Sequence, residues 1–204
     1  MVFTQLTGAD LLALPHDDAA GRLESQSQAQ RLNWLRAGVL GAMDGIVAVS
    51  AVVVGVAGAA AGAGIVLAAG VAALAAGGMA MALGEYVSVS SQRDAEAAAI
   101  HRGESMARHK DLAKPWHAAL ASILAFFAGG IWPVLAAMLV PGQFKVPAIF
   151  VVVIVSMIAV GQVAAKVGGT GTGRSTVRML VGGVLALAIT FGIGTLMASF
   201  GIDI

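Results

Sequence analysis

Residues 35–60, "LRAGVLGAMDGIVAVSAVVVGVAGAA", decide the fold class of this chain. As a helix, the stretch would rise roughly 39 Å, enough to cross a hydrocarbon core of about 30 Å. Its residues other than apolar ones and glycine are Arg36, Asp44 and Ser50. Gly41 and Gly45 form a GxxxG pair, which allows a second helix to pack closely on the same turns as Asp44. The stretch therefore predicts a spanning helix with a carboxylate near the middle of the membrane.

The composition of the whole chain is that of a membrane protein. Of its 204 residues, 58% are hydrophobic and 11% are charged, whereas soluble domains have about 25% charged residues. The chain has no cysteine, which excludes disulfides and thiolate metal sites. A net charge of +1, without patterned basic and aromatic residues, argues against nucleic acid as a partner. The polar first thirty residues lack the apolar core of a secretory signal.

Five stretches are long and apolar enough to span a bilayer: about 35–60, 64–90, 117–140, 146–166 and 178–200. They predict an all-α integral membrane protein with one five-helix domain over residues 35–204. Residues 1–34 form a cytoplasmic or interfacial segment in this prediction, with a polar surface helix at 19–34 anchored by Trp34. The glycine- and threonine-rich stretch 166–174 lacks the spacing of a phosphate-binding loop and predicts a plain connection.

The basic residues fall on one side of the predicted spans. Of the 12 lysines and arginines, all except Lys145 lie in the N-terminal region or in the second and fourth connections. Because cytoplasmic segments collect lysine and arginine, this pattern predicts a cytoplasmic N-terminus and a C-terminus on the outer side.

Asp44 and Glu85 are the two carboxylates within the predicted spans. A charge at a helix centre costs about 2.5–3.5 kcal/mol, so Asp44, near the middle of its predicted span, calls for a functional explanation. Glu85 lies near the cytoplasmic end of its predicted span, where a carboxylate can also be ordinary interface chemistry. Met81 precedes Glu85 by one helical turn and shares its face. A set of hard oxygen and soft sulfur donors suits Fe²⁺ better than Mg²⁺ or Ca²⁺. We therefore take Asp44, Met81 and Glu85 as a candidate metal pathway, with Met43, beside Asp44, as a secondary candidate.

Polar residues continue the second predicted helix beyond its apolar part. Glu85, Ser88, Gln92 and Glu96 fall at helical spacing and predict a polar track that leads into the cytoplasm. The following connection contains a weaker candidate metal patch formed by His101, Glu104 and His109. Because these spacings match no standard zinc site, a solvated connection is the alternative interpretation.

Metal-binding carboxylates must be deprotonated, so metal entry releases protons and protonation expels metal. This chemistry predicts exchange of a metal cation against protons. Enzyme patterns such as HExxH and GxSxG are absent from the sequence, and no enzyme is predicted. Two alternatives stay open: a proton-coupled carrier of another cation or solute, and a membrane scaffold that senses or stores metal without transporting it.

Three blocks resemble the vacuolar iron transporter family: "NWLRAGVLGAMDGIVAVSAVVVGVAGA" (33–59), "MALGEYVSVSSQRDAE" (81–96) and "KPWHAALASILAFFAGGIWPVL" (114–135). The short second connection resembles the nodulin-like members, which lack the glutamate-rich cytoplasmic metal-binding domain. The resemblance implies a homodimer with a pathway between the two first spans. It also implies that Fe²⁺ or Mn²⁺ leaves the cytosol, coupled to protons, as a transported substrate, with no permanently bound cofactor.

Residue by residue, Asp44 matches the family's mid-membrane aspartate, and Met81 and Glu85 match its second-span methionine and glutamate. The chain departs from the family at Met43, where asparagine is common, and at Ala80, where serine is common. The "NWLRA" block looks more bacterial than plant-like, which favours a bacterial plasma membrane over a vacuolar membrane.

Overall fold

The computed structural model describes residues 16–103, 112–169 and 172–201, with side chains in the first helix described from Ala37 onward. Its helices are α1 His16–Gly58, α2 Ala63–His101, α3 Pro115–Leu139, α4 Lys145–Gly168 and α5 Thr172–Ser199, with a short 3-10 turn at Gly142–Phe144. Each of the five helices contains an apolar stretch long enough to cross a membrane. The predicted all-α, five-span architecture is therefore confirmed.

Local sequence explains several helix ends. Pro115 begins α3, where its missing N–H leaves no hydrogen bond unmade. Gly169 ends α4 in the left-handed conformation, with φ 60°, which glycine adopts without a Cβ clash. Residues 19–34 are helical as predicted, but they continue the first span without a break as part of α1. The predicted boundary at residue 34 thus falls inside a helix.

Because the connections are short, successive helices run in opposite directions, and every helix has one end on each side of the bundle. The side that holds the C-terminus of α2 and the N-terminus of α3 is called the basic end. The rings of Tyr86 and Trp116 have centroids 4.9 Å apart, so α3 begins level with Tyr86. Because α2 continues to His101, it extends roughly 22 Å beyond that level.

Helix α1 is the centre of the bundle and packs against all four other helices. Helices α2 and α3 pack on one side of it, and α4 and α5 pack against each other and against α1. The shared core includes Val53 from α1, Phe126 from α3, Met157 from α4 and Leu187 from α5. Because the other four helices pack around α1, a face of α1 that none of them covers is unusual in this fold.

The GxxxG pair of α1 packs against α3 within the same protomer. A Cβ at Gly41 would lie 3.0 Å from the carbonyl oxygen of Ser122. A Cβ at Gly45 would collide with the carbonyl of Phe126 and lie 3.0 Å from the backbone nitrogen of Gly130. The two glycines therefore bring α1 and α3 into backbone contact, and their close-packing role is fulfilled without a second chain.

Helix α5 contacts α1 from the level of Val47, whose Cγ2 would lie 3.8 Å from a Cβ at Gly183, to the end of the span far from the basic end. A Cβ at Gly55 would lie 3.3 Å from the Thr190 carbonyl oxygen, so the helices touch far from the basic end. Nearer the basic end, α5 packs on α4, where a Cβ at Gly161 would lie 2.8 Å from Oγ1 of Thr176. The other helices leave uncovered the face of α1 that carries Leu40, Asp44, Ala48 and Val52, which we call the open face.

Candidate functional site

Asp44 lies on the open face of α1 and is exposed on the surface of the protomer. Leu40, Ala48 and Val52 are exposed on the same face, at intervals of four residues. The apolar run of α1 begins at Ala37, directly after Arg36, which puts Asp44 roughly 10 Å into the span. The carboxylate is thus within hydrocarbon depth, about a third of the way across from the basic end.

Asp44 points away from α2. Val53 marks the side of α1 that faces α2, because its Cγ2 lies 2.8 Å from where a Cβ of Gly70 would be. Nine residues separate Val53 from Asp44, which is about 180° around the helix. Within one protomer, Asp44 therefore does not face Met81 and Glu85, the other two residues of the predicted metal pathway.

The three primary candidates nevertheless occupy successive depths. Val53 lies level with Gly70, and Val49 and Leu74 both contact the position of a Cβ on Gly130. Because α1 and α2 are antiparallel, this register puts Met81 and Glu85 roughly 3 Å and 9 Å nearer the basic end than Asp44. The order along the bundle is Asp44, then Met81, then Glu85.

Both methionine candidates are half-buried and pack against the hydrophobic core. Met43 directly precedes Asp44 in a regular helix, so its side chain points about 100° around α1 from the Asp44 carboxylate. Met81 lies on the side of α2 that carries buried Leu74 and Gly78. Their packing accounts for both residues without a metal, and it directs Met43 away from the open face.

The predicted polar track is partly occupied by the protein itself. Glu85 is half-buried, whereas Ser88 and Gln92 are exposed. Glu96 accepts hydrogen bonds from Nε2 of Gln92 at 2.8 Å and from the N–H of Ala113 at 3.4 Å. Its carboxylate therefore holds the last residues before α3 against α2.

The second candidate patch is only partly covered by the structure. His101 is exposed at the end of α2, whereas Glu104 and His109 lie outside the described residues. Across 16–103, 112–169 and 172–201, no three or more histidine or acidic side chains lie together as a metal-binding group. A metal at Asp44 would therefore need ligands beyond the acids and histidines of this described part of one protomer.

Sequence reasoning missed Ser122 on α3. Its side chain is fully buried, and its hydroxyl has no hydrogen-bond partner among the described residues. Ser50, the other serine that is buried in the described part of the chain, donates to the carbonyl oxygens of Ile46 and Val47 in its own helix. The position of a serine within an apolar run does not predict which helix it will face. The contact between Gly41 and the Ser122 backbone shows that Ser122 lies where α3 packs on α1.

Comparisons with known proteins match nearly the whole chain. The model of the VIT family matches residues 35–111 and 102–195. Vacuolar iron transporter homolog 5 of Oryza sativa subsp. japonica is 37% identical over 99% of both chains. Vacuolar iron transporter homolog 2 of Arabidopsis thaliana is 39% identical over 85% of this chain and 89% of its own. The chain, with its five spans and the Asp44 carboxylate on the open face of α1, belongs to the VIT family.

Proposed function

We propose that this protein is a homodimeric transporter that moves Fe²⁺, with Mn²⁺ as a second substrate, out of the cytosol in exchange for protons. The relatives are named iron transporter homologs, and the names suit a membrane carrier rather than an enzyme. In this proposal the basic end faces the cytoplasm, in keeping with the distribution of lysine and arginine.

The exposed position of Asp44 is the observation that carries the proposal. A carboxylate facing lipid costs up to about 2.5–3.5 kcal/mol, the insertion-scale value for a helix centre. A second protomer that covers the open face of α1 would remove the carboxylate from lipid. Because a two-fold interface pairs identical surfaces, it would also bring two copies of Asp44 to one axis. Two carboxylates there supply oxygen ligands that one protomer lacks.

Glu85 and Met81 extend the proposed route toward the cytoplasm. Their depths place Glu85 nearest the basic end, suited to receive an ion, and Met81 between it and Asp44. The thioether of Met81 would favour a borderline ion such as Fe²⁺ over Mg²⁺. Since Met81 is half-buried against the core, reaching the ion requires its flexible side chain to change rotamer.

The relatives do not support the bacterial plasma membrane that the "NWLRA" block favours, because they are plant proteins with vacuolar names. A multi-pass membrane location rests on the five spans alone.

The test is Fe²⁺ flux into proteoliposomes that contain the purified full chain and a pH-sensitive dye. We expect Fe²⁺ movement accompanied by proton counter-movement, and loss of both in Asp44→Ala. Asp94→Ala is the matched control, because Asp94 is an exposed carboxylate on α2 beyond the level of Tyr86. Full Fe²⁺ flux in Asp44→Ala would refute the pathway. Binding without flux would favour the metal-sensing scaffold, and proton-coupled flux of another solute would favour a different carrier.

A further inference from the structure

Helix α5 presents two arginines on the face that points away from α4. Thr176 marks the side of α5 in contact with α4, through Gly161. Arg174 and Arg178 each lie two residues from Thr176, or about 200° around the helix, and both are exposed. A spacing of four residues places their Cβ atoms about 5–6 Å apart. The two guanidinium groups therefore form a pair on the outer surface of the bundle.

The pair lies at the basic end of α5, just before its charge-free run, which begins at Met179. Since Thr190 lies level with Gly55 of α1, Arg178 is about level with Asp44, and Arg174 lies roughly 6 Å nearer the basic end. An arginine at this depth extends its apolar stem along the helix and carries its charge to the headgroup layer. Planar guanidinium groups donate paired hydrogen bonds to phosphate oxygens.

No carboxylate on α3, α4 or α5 can neutralise the pair. The sequence contains neither aspartate nor glutamate from Leu112 to Ile202, which covers α3, α4 and α5. The pair also points away from α1, because Gly183, which faces Val47 of α1, lies about 140° around α5 from Arg178 and about 180° from Arg174. Two like charges at this spacing on a helix destabilise each other in the absence of a counter-charge. The position thus favours an anion from outside the helices α3–α5.

A shallow apolar depression lies directly below the arginines on the same helix. It is lined by Leu180, Val181, Val184, Leu185 and Ala188, and its volume is about 420 Å³. Along α5 it runs from roughly 3 Å to roughly 15 Å beyond Arg178, toward the membrane centre. A headgroup held by the arginines would therefore have its acyl chain above an apolar surface.

We propose that Arg174 and Arg178 bind the phosphate of an anionic phospholipid, with one acyl chain lying in the depression that ends at Ala188. The site is independent of the proposed ion pathway, because it requires only that the protein is embedded in a membrane. A net-negative headgroup is preferred over a zwitterionic one because no positive group on the lipid then opposes the guanidinium pair.

The experiment is native mass spectrometry of the purified full chain in detergent, titrated with phosphatidylglycerol or phosphatidylcholine. Near a membrane surface each cation contributes about fivefold in affinity for anionic lipid. The Arg174→Gln/Arg178→Gln protein should therefore bind phosphatidylglycerol roughly 30-fold more weakly. The Arg174→Lys/Arg178→Lys protein should retain most of the affinity, because it keeps both charges. Ala188→Trp, which fills the depression, should weaken binding of both lipids.

A matched control removes two cations elsewhere at the basic end. Arg93→Gln/Lys114→Gln takes away two exposed charges from α2 and the following connection and should leave lipid affinity unchanged. An equal loss in this control, or equal binding of the two lipids by the parent chain, would reduce the effect to diffuse electrostatic attraction and overturn the proposal. Binding of glycerol phosphate as tight as that of phosphatidylglycerol, unaffected by Ala188→Trp, would overturn its acyl-chain component.

Discussion

The contact of α1 with α3 at Gly45 yields a prediction with a worked magnitude. In Gly45→Ala, the new Cβ would collide with the Phe126 carbonyl and come within 3.0 Å of the Gly130 backbone nitrogen. Both obstacles are backbone atoms, so the helices must separate to admit the methyl group. Overpacking of this kind costs about 1–3 kcal/mol of unfolding free energy.

Gly38→Ala is the matched control on the same helix. A Cβ at Gly38 meets nothing within 4 Å, so this substitution should gain about 0.5–1 kcal/mol from the higher helix propensity of alanine. Gly41→Ala should fall between the two, because its Cβ would lie 3.0 Å from the Ser122 carbonyl oxygen and 3.1 Å from Cβ of Ala125. The expected order of stability is therefore Gly38→Ala, then Gly41→Ala, then Gly45→Ala.

The assay is thermal unfolding of the purified variants in one detergent, at several protein concentrations. A midpoint loss in Gly45→Ala that does not change with concentration would agree with packing inside the protomer. If Gly45→Ala unfolds at the same temperature as Gly38→Ala, the backbone contact between α1 and α3 is wrong. If its loss appears only when dimers dissociate, the GxxxG pair belongs to an interface between protomers.

Three further substitutions test the dimer axis, the role of Met43 and the role of Glu96. In this cysteine-free chain, Ala48→Cys on the open face of α1 should form an oxidant-dependent dimer on a gel, whereas Leu185→Cys on the outer face of α5 should not. The reverse result would refute the proposed axis. Met43→Leu should preserve the Fe²⁺ to Mn²⁺ flux ratio, because the Met43 thioether packs in the core, and a changed ratio would make it an ion ligand. Glu96→Ala should speed amide hydrogen exchange in the connection before α3 by removing the acceptor of both its hydrogen bonds, whereas Asp94→Ala, the same charge change at an exposed neighbour, should not.

The number of spans could be predicted from sequence because it depends on length and apolar content, which are local properties. The direction of each side chain depends on which helix packs on which face, and composition does not contain that information. Gly41 and Gly45 illustrate the difference: their spacing predicts a close contact but not its partner, which the structure shows to be α3. Likewise, Asp44 and Met81 share a depth range, but the position of Val53 against α2 turns Asp44 to the opposite side of α1.

The open face of α1 connects the architecture with the proposed proton exchange. Helix α1 packs against four helices, but the face that carries Asp44 lacks such packing within the protomer. The same opening would allow two copies of Asp44 to meet across a two-fold axis. Facing carboxylates at this depth need neutralising, which either one divalent ion or protons can do, so the two occupants exclude each other. On the proposed dimer, coupling between metal and protons then follows from the charge of the shared site, and it requires no separate proton relay.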